Sequence, residues 1–336
     1  MLIKVLNSKK LKINCKNLEE KANIDYKGEL WGCCPGWITI PFGNIKEDKI
    51  YNDYTSRIIK LSSLNKTYCF CNLNACKYNY EDNIQKKLKS ENYPKELTIS
   101  IDKSCNLKCS SCRKKFYNAK KTQLANQDEI IEKLKRTGWL EKSIIILAGQ
   151  GEVFYSNSYK KILETDIKRN TIKILTNGTL LNKKNWEFIS SKYNNIYISI
   201  SIDAANKDTY WKLRKGNFNY LMKNLKMLGN LRKENKIKEL QLNFVVQKDN
   251  YKEMKEFIKI GKENNVDKIQ FTKLNNWKTF KKNEYKDKCL IIDDKYLNYE
   301  LYNYLKDSIF RDEIVDLKQF EQLINNSQIY YGENNE

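Results

Sequence analysis

The stretch Leu97-Thr-Ile-Ser-Ile101-Asp-Lys-Ser-Cys105-Asn-Leu-Lys-Cys109-Ser-Ser-Cys112 joins a β-branched run to three cysteines spaced Cys-x3-Cys-x2-Cys. Three thiolates on one short loop, with no fourth cysteine beside them, fit a 4Fe–4S cluster that keeps one iron open to a ligand, because clusters dedicated to electron transfer usually take four. A zinc site and chance clustering are the alternatives. Since the loop follows the predicted strand directly, we expect a ligand site at the carboxyl end of that strand.

Composition narrows the class of protein and its location. The chain has 336 residues, enough for one large α/β domain with an appendage, and ten cysteines but no histidine. The segment MLIKVLNSKKLKINCK lacks the apolar core of a signal peptide, and the longest apolar run, 144–148, is too short for a membrane span. We expect a cytoplasmic protein with no membrane partner, whose reduced thiols bind a metal or cluster rather than form disulfides.

The net charge of +21 invites a nucleic-acid partner, because basic surfaces attract phosphates. Only seven of the 62 basic residues are arginine, however, and lysine is used heavily together with asparagine, isoleucine and tyrosine, as in proteins from genomes rich in A and T. Scattered lysine of this kind is typical of a solvated surface. A dedicated nucleic-acid surface is therefore disfavoured.

Hydrophobic periodicity predicts the fold beyond residue 94. Six short β-branched runs are predicted strands, at 97–101, 143–148, 172–175, 196–202, 240–246 and 268–274. Amphipathic stretches between them are predicted helices, at 128–136, 184–191, 220–235 and 251–264. Repeated βα units imply a parallel sheet, and six of them predict an α/β fold of the partial (β/α)6 TIM-like barrel type. We expect a small cysteine-rich N-terminal domain (1–93), the barrel (94–275) and a helical C-terminal extension (276–336).

Polar motifs follow the next three predicted strands, at the end of the barrel where ligands gather. Gly149-Gln-Gly151-Glu152 follows the second strand, where glycines admit a ligand close to the backbone and a carboxylate accepts hydrogen bonds from an ammonium group. Two further pairs follow the third strand and close the fourth, Thr176 with Asn177 and Ser199 with Ser201. Taken singly, the first motif is a βα turn and the second a helix cap. Their shared position predicts one ligand cavity.

The joint order of these motifs resembles that of the radical SAM (S-adenosylmethionine) enzymes over residues 95–275. The resemblance implies a 4Fe–4S cluster whose open iron binds SAM, held by Cys105, Cys109 and Cys112. It implies a site for the methionine amino group at Gly149, Gly151 and Glu152, although Val153 stands where the family has proline. The polar residues at the third and fourth strand ends would contact the ribose and carboxylate of SAM: Thr176, Asn177, Ser199 and Ser201.

The segment SIDAANKDTYWKLRKGNF (201–218) resembles one typical of radical SAM enzymes of the SPASM or twitch type, which carry an additional cluster domain. Arginine is scarce in this chain, and the guanidinium of Arg214 suits a carboxylate bidentately, so it is a candidate ligand of the SAM carboxylate; a surface ion pair is the alternative. Asp203 either shares the site or orders its loop. Gln247, after the fifth predicted strand, either touches adenosine or substrate or is structural.

Six N-terminal cysteines form a second group, Cys15, Cys33, Cys34, Cys69, Cys71 and Cys76. The spacing of the first of them resembles the opening half of a SPASM domain, although such domains normally follow the barrel and this one precedes it. The resemblance implies an auxiliary iron–sulfur cluster, for which the favoured ligands are Cys15, Cys33, Cys71 and Cys76, with Cys34 or Cys69 as substitutes. Structural zinc is the alternative. Cys289 is far from the other nine cysteines in the sequence, and a lone cysteine of this kind is expected to be a buried or tolerated thiol rather than a reactive one.

The resemblance also implies the activity. One electron from a donor such as flavodoxin or ferredoxin cleaves SAM to methionine and a 5'-deoxyadenosyl radical, which abstracts a hydrogen atom from the substrate. The likeness to SPASM-type enzymes favours a peptide or protein substrate. A small-molecule or saccharide intermediate is the alternative, and RNA is less favoured. A non-enzymatic iron–sulfur or zinc protein would leave the glycine and glutamate motif unexplained.

Overall fold

The structure, a computed structural model, describes residues 1–8, 15, 20–72, 93–149, 151–165 and 171–332. The chain divides into two compact units. The first contains Met1–Ser104 and Asn118–Lys173, and the second contains Cys105–Tyr117 and Ile174–Glu336. The three-cysteine loop therefore belongs to the second unit, although the strand that precedes it in the chain belongs to the first.

Within the described residues of the first unit, five strands lie in the order β3-β2-β1-β4-β5. Their bounds are β1 (Lys21–Asp25), β2 (Glu29–Trp31), β3 (Gly43–Asn44), β4 (Glu96–Ser100) and β5 (Ile144–Leu147). Strands β1 to β3 are antiparallel, whereas β4 pairs in parallel with both β1 and β5. Asp25 sets the turn between β1 and β2, because its carboxylate accepts the N–H groups of Lys27 and Glu29.

Among the described residues of the first unit, three helices begin or end at residues suited to those positions. Their bounds are α1 (Leu2–Asn7), α2 (Asp53–Leu64), α3 (Lys121–Thr137), α4 (Trp139–Lys142) and α5 (Asn157–Glu164). Asn52 and Ser156 cap α2 and α5 through their side-chain oxygens, and α3 ends at Gly138, whose φ of +70° favours glycine. The core combines one face of α3 with alternate positions of β4 and β5, including Ile130, Leu134, Leu97, Ile99 and Ile145.

The second unit contains parallel strands in the order β6-β7-β8-β9-β12 and a short antiparallel hairpin, β10-β11. Its strands are β6 (Thr171–Thr176, which starts in the first unit), β7 (Asn195–Ser201), β8 (Glu239–Val246), β9 (Lys268–Lys273), β10 (Ile291–Ile292), β11 (Tyr296–Leu297) and β12 (Val315–Asp316). Its helices are α6 (Lys183–Ser190), α7 (Lys207–Arg214), α8 (Phe218–Lys233), α9 (Met254–Glu263), α10 (Lys282–Lys288), α11 (Tyr299–Tyr304) and α12 (Lys318–Gly332), with 3-10 turns at Tyr251–Glu253 and Ser308–Arg311.

The strands of the second unit have one apolar and one polar face. In β7 and β8 every second residue is buried and apolar, whereas the residues between them are half-buried and mostly polar. On this second face the side-chain amide of Asn243 donates to Ser199 Oγ at 2.7 Å. A buried apolar face anchors the sheet in the core, so the polar face is the one available to a ligand.

The predicted α/β class, with its parallel sheet and helical C-terminal region, is confirmed. All six predicted strands and all four predicted helices are present, with ends that differ by at most three residues except that α3 begins at Lys121, seven residues before the predicted start. The N-terminal strands β1 to β3 were not predicted, and β1 extends the sheet from β4 across the expected boundary near residue 93. The three-domain division stays a prediction. Among the described residues, no helix combines the length and apolarity that a membrane crossing requires.

Candidate functional site

The two ends of the three-cysteine loop are joined by a hydrogen bond, and the exposure of its cysteines increases from the first to the last. Its ends meet where Cys105 N–H donates to Tyr117 O at 3.1 Å. In its middle, the N–H groups of Cys112 and Arg113 donate to Cys109 O at 3.1 and 3.0 Å, which forms a tight turn. Cys105 is buried, Cys109 is half-buried and Cys112 is exposed. The loop thus presents its first sulfur to the protein interior and its last to solvent.

The buried end of the loop lies against the segment that follows β6. Asn177 Nδ2 lies 3.9 Å from Cys105 Sγ and donates to Asn106 Oδ1 at 2.9 Å. Asn106 Nδ2 in turn donates to Thr179 Oγ1 at 2.9 Å, and that hydroxyl donates to Asn177 Oδ1 at 2.6 Å. The sequence singled out Asn177 but not Asn106 or Thr179. Asn106 directly follows Cys105, a predicted cluster ligand, and this position was the signal available for it in the sequence.

Cys109 lies beside a buried ion pair. Arg214 Nη1 lies 3.6 Å from Cys109 Sγ, and Arg214 Nη2 lies 2.8 Å from Asp203 Oδ2. Burial raises the pKa of the Cys109 thiol to about 11, against the opposing effect of Arg214, so the metal-free thiol keeps its proton and ligation would release it. Burial would lower the pKa of Arg214, but the Asp203 carboxylate outweighs it and raises that pKa. Among the described residues, Arg214 Nε has no hydrogen-bond partner.

Two further contacts hold the loop within the second unit. Ser110 N–H donates to Leu213 O at 2.8 Å, near the end of α7. Thr279 Oγ1, in the segment after β9, donates to Ser111 O at 3.3 Å. Gly216 follows α7, and a Cβ at this position would lie 3.1 Å from Leu107 Cδ2 and 2.8 Å from Tyr210 Cε1. The backbone therefore passes so close to the loop that only glycine fits there without a shift of its neighbours.

The donor set fits an iron–sulfur cluster. N–H groups point at all three sulfurs, since Leu107 N and Arg113 Nη2 lie 3.5 Å from the sulfurs of Cys105 and Cys112, and Arg214 approaches Cys109. Hydrogen bonds to cluster sulfurs are a general feature of such sites. Within the described part of the chain, no three His, Cys, Asp or Glu side chains are grouped closely enough to hold one metal ion. In a 4Fe–4S cluster each thiolate binds a different iron, so its sulfurs stand further apart than the ligands of a single ion.

The polar residues predicted in the second unit lie at or near the carboxyl ends of its strands, whereas Cys289 precedes β10. Thr176 Oγ1 accepts the N–H of Gly178 at 3.0 Å, and Ser199 and Ser201 lie on the polar face of β7. Gln247 is buried, and its Oε1 lacks a hydrogen-bond partner among the described residues. Cys289 is half-buried and its thiol lies 3.8 Å from Ile291 O.

The glycine motif belongs to the first unit, where it packs against the chain that leads to the loop. A Cβ at Gly151 would lie 2.5 Å from Asp102 O and 2.8 Å from Ser104 O. Gly149 has a φ of +141°, and a Cβ there would lie closer still to Ser100 Oγ. Glu152 is buried, and its N–H donates to Ser104 O at 2.8 Å. Gln150 lies outside the described residues.

Asp102 organises this region and was missed in the sequence. Its carboxylate accepts the N–H and hydroxyl of Ser104 at 3.0 and 2.9 Å, Gln127 Nε2 at 3.2 Å and Ser156 Oγ at 2.6 Å. It is 1% exposed, and each bond fixes the backbone that enters Cys105. A carboxylate at the end of an apolar strand was the signal available, because such a charge is buried only where several donors meet it.

The described N-terminal cysteines lie in the first unit. Cys15 N–H donates to Tyr68 Oη at 2.9 Å, and Cys71 N–H donates to Tyr68 O at 2.8 Å. Cys71 also pairs with Ile38, just after the turn that carries Cys33 and Cys34. These contacts bring Cys15 and the segments of Cys33, Cys34 and Cys71 into one neighbourhood. The thiol of Cys69 lies 3.4 Å from Ser62 Oγ of α2, and Cys76 lies outside the described residues.

The fold and the loop define a class of protein, an α/β protein that presents three closely spaced cysteines directly after a strand of a parallel sheet. The model of the radical SAM superfamily matches residues 99–266, half of the chain, and the chain belongs to this superfamily. Its members are enzymes that use a 4Fe–4S cluster and SAM. The predicted superfamily and the predicted α/β fold of the partial-barrel type are therefore confirmed.

Individual relatives cover less of the chain. AlbA of Bacillus subtilis (strain 168), named an antilisterial bacteriocin subtilosin biosynthesis protein, is 28% identical over 142 residues, which are 40% of this chain and 31% of AlbA. A probable GTP 3',8-cyclase of Methanococcus aeolicus is 29% identical over 157 residues, which are 45% of this chain and 50% of that protein. The chain therefore matches half or less of the length of these relatives. Streptococcus suis SuiB bound to the precursor peptide SuiA has a TM-score of 0.47 at 18% identity, covering 80% of this chain and 62% of SuiB.

Proposed function

We propose that this protein cleaves SAM reductively and uses the resulting 5'-deoxyadenosyl radical to abstract a hydrogen atom from a substrate. The observation that carries the proposal is the arrangement of donors around the loop sulfurs, above all Arg214 Nη1 at 3.6 Å from Cys109 Sγ, in a chain of the radical SAM superfamily. It supports Cys105, Cys109 and Cys112 as ligands of the 4Fe–4S cluster. When bound, the cluster and SAM would supply the radical chemistry, while the chain binds, orients and shields the reactants.

The polar residues of the second unit are proposed as SAM ligands. Asn177 lies beside Cys105, and the Thr176, Ser199 and Ser201 side chains lie at strand ends on the same unit. Arg214 is proposed to serve the site twice, since its two Nη atoms hold Asp203 and Cys109 while its buried Nε–H has no described partner. An unpartnered buried donor suits an anionic ligand group such as the SAM carboxylate.

In the first unit, Gly149, Gly151 and Glu152 are proposed to receive the methionine amino group. Both glycines lie where no side chain fits, since a Cβ at either would meet Ser100 Oγ or Asp102 O within 2.5 Å, so the motif keeps a backbone path that only glycine can follow. Glu152 is buried, and a buried carboxylate gains most from a cationic partner. Val153 is also buried and fills the position where the family has proline.

The N-terminal cysteines are proposed to hold an auxiliary iron–sulfur cluster in a SPASM-like domain placed before the barrel. The contacts of Tyr68 with Cys15 and Cys71 support these two as ligands. Cys33 or Cys34, together with Cys76, would complete the set. The contact of Cys69 with Ser62 on α2 favours Cys69 as a spare thiol. Structural zinc on the same thiolates is the alternative.

The substrate is proposed to be a peptide or protein. The relative AlbA is named for bacteriocin biosynthesis, which favours a peptide. The relative named as a probable GTP 3',8-cyclase supports a small molecule as the second candidate. A one-electron donor such as flavodoxin or ferredoxin and a cytoplasmic location belong to the same proposal.

The test replaces Cys105, Cys109 and Cys112 by alanine together, with Cys289→Ala as the matched control. After anaerobic reconstitution, 5'-deoxyadenosine formed under dithionite is measured by chromatography. We expect the triple variant to form none and the control to match the wild type. Continued production by the triple variant would refute the proposal. Iron analysis tests the second cluster, since about eight irons per chain indicate two cubes and about four irons with bound zinc would eliminate the auxiliary cluster.

A further inference from the structure

The exposed half of the cysteine loop is basic and contains no carboxylate. Residues 105–117 include four cationic side chains, Lys108, Arg113, Lys114 and Lys115, and no Asp or Glu. Lys114 and Lys115 are exposed and form no ion pair within the described part of the chain. They lie two and three residues after Cys112, the exposed sulfur. The charge is thus concentrated where the loop meets solvent.

Two further segments that contact this loop also lack acidic residues. The chain has 41 acidic residues in 336, yet none lies in 209–233 or in 268–283. The first segment contacts the loop through Leu213 O, which accepts Ser110 N–H at 2.8 Å, and the second through Thr279 Oγ1, 3.3 Å from Ser111 O. These two segments contribute the cationic side chains of Lys215 and Lys278 to the surface around the loop. We call the surface formed by Lys108, Arg113, Lys114, Lys115, Lys215 and Lys278 the basic face.

Two exposed aromatic side chains lie within the same segments. Phe116 is 60% exposed and Trp277 is 58% exposed. Lys108 Nζ lies 5.8 Å from the centroid of the Phe116 ring, so this ring already carries a cation beside it. Aromatic residues are enriched at surfaces that bind proteins, and the lysines around them supply the charge that attracts an acidic partner.

We propose that the basic face docks an acidic one-electron carrier protein, which delivers its electron at the Cys112 end of the loop. This inference rests on the proposed function, since it assigns the electron supply for the cluster held by the same loop. Electron transfer weakens steeply with distance, so a carrier must approach the ligand nearest to solvent, and that ligand is Cys112. Redox encounters of this kind are small and transient, and charge complementarity sets their association rate.

The test reverses charge on the face. Lys114→Glu with Lys115→Glu is compared with Lys233→Glu with Lys238→Glu, two exposed lysines beside the start of β8, at the opposite end of the strands from the loop. For each reconstituted holoenzyme, the rate of 5'-deoxyadenosine formation is measured with two reductants in turn. One is dithionite, and the other is a flavodoxin of net negative charge that its reductase keeps reduced. Affinity for oxidised flavodoxin is measured separately at low and high salt.

We expect the first variant to lose about tenfold in flavodoxin-driven rate and in affinity at low salt, because steering of this kind contributes 10-fold or more and is screened by salt. Its dithionite-driven rate should match the wild type, and the control should match it with both reductants. Equal flavodoxin-driven rates in all three proteins would overturn the docking face, as would an equal loss with dithionite. Binding of tRNA that only the first variant loses, with an unchanged flavodoxin-driven rate, would assign the face to RNA instead. A wild type inactive with dithionite would refute the proposed function rather than the docking face.

Discussion

Replacing Arg214 with methionine should destabilise the second unit, because it leaves the Asp203 carboxylate buried without its cation. The Arg214 and Asp203 side chains are only 11% and 5% exposed, and Nη2 and Oδ2 are 2.8 Å apart. Methionine keeps much of the apolar stem of arginine, so the change removes the charge and little of the packing. The lost contact with Cys109 Sγ is the weaker of the two, at 3.6 Å.

The magnitude follows from burial. Removing one partner of a buried ion pair costs about 3 to 5 kcal/mol, since the remaining charge has no compensation in a low dielectric. Asp203 Oδ1 would keep the hydrogen bond from Val245 N–H at 2.8 Å, which favours the lower end, about 3 kcal/mol. Asp203→Asn is the matched change, because Asp203 has a φ of +63° and asparagine tolerates that conformation. It leaves Arg214 unpaired and should cost a similar amount.

The assay is a double-mutant cycle. Unfolding free energies of the reduced, metal-free protein are measured by urea titration for the wild type, Arg214→Met, Asp203→Asn and the double variant. In the double variant neither buried charge remains, so its loss should fall short of the sum of the single losses by about 2 kcal/mol. Losses that add within about 0.5 kcal/mol would refute the reasoning, because they would mean that the two charges do not compensate each other.

Two further predictions concern the first unit. Gly151→Ala should lower stability by about 1 to 3 kcal/mol, because its Cβ would lie 2.5 Å from Asp102 O, whereas Gly332→Ala, with open space around its Cβ, should change little in the same urea titration. Glu96 lies 2.8 and 2.6 Å from the ammonium groups of Lys21 and Lys173, and although burial raises the pKa of Glu96, these lysines lower it below 4.5. The ionised Glu96 carboxylate therefore stabilises the fold above its unfolded pKa, and this stabilisation is lost as pH falls through its folded pKa. Glu96→Gln should lower the melting temperature at pH 7 but should no longer lower it at about pH 3. The exposed control Glu132→Gln should change the melting temperature little at either pH, and a Glu96→Gln deficit that persists at the lower pH would contradict the assignment.

The sequence predicted elements whose pattern is local and missed those that depend on distant partners. Strands such as 196–202 alternate apolar and polar residues, so their period is readable without knowing what they pair with. β2 and β3 have only three and two residues, too few to show a period. β1 pairs with β4, more than 70 residues later in the chain, and such a pairing leaves no local trace.

In the candidate site, too, local patterns were predicted and contacts between distant residues were not. Cysteine spacing predicted the loop, because all three thiols lie within eight residues. The partner of Arg214 was not predicted, because the Cys109 contact joins residues 105 positions apart in the chain. Residue type indicated that Arg214 would meet an anion, and the structure shows that one anion is Asp203, from the protein itself. Composition gave the net charge but not the convergence of three acid-free segments, since that requires the contacts of Ser110 and Thr279.

The gradient of exposure along the loop gives its two ends different chemical roles under the two proposals. Near Cys105 the surroundings are buried and polar groups are paired, which suits the protection of a bound cluster from water and oxidants. Near Cys112 the sulfur is exposed and the neighbouring Lys114 and Lys115 are exposed as well, which suits the brief approach of a reduced, acidic carrier. Both conditions hold within eight residues because the loop is fixed at Tyr117, Leu213 and Thr279. A change that loosens one of these anchors should therefore affect cluster protection and electron delivery together, whereas a change of surface charge should affect delivery alone.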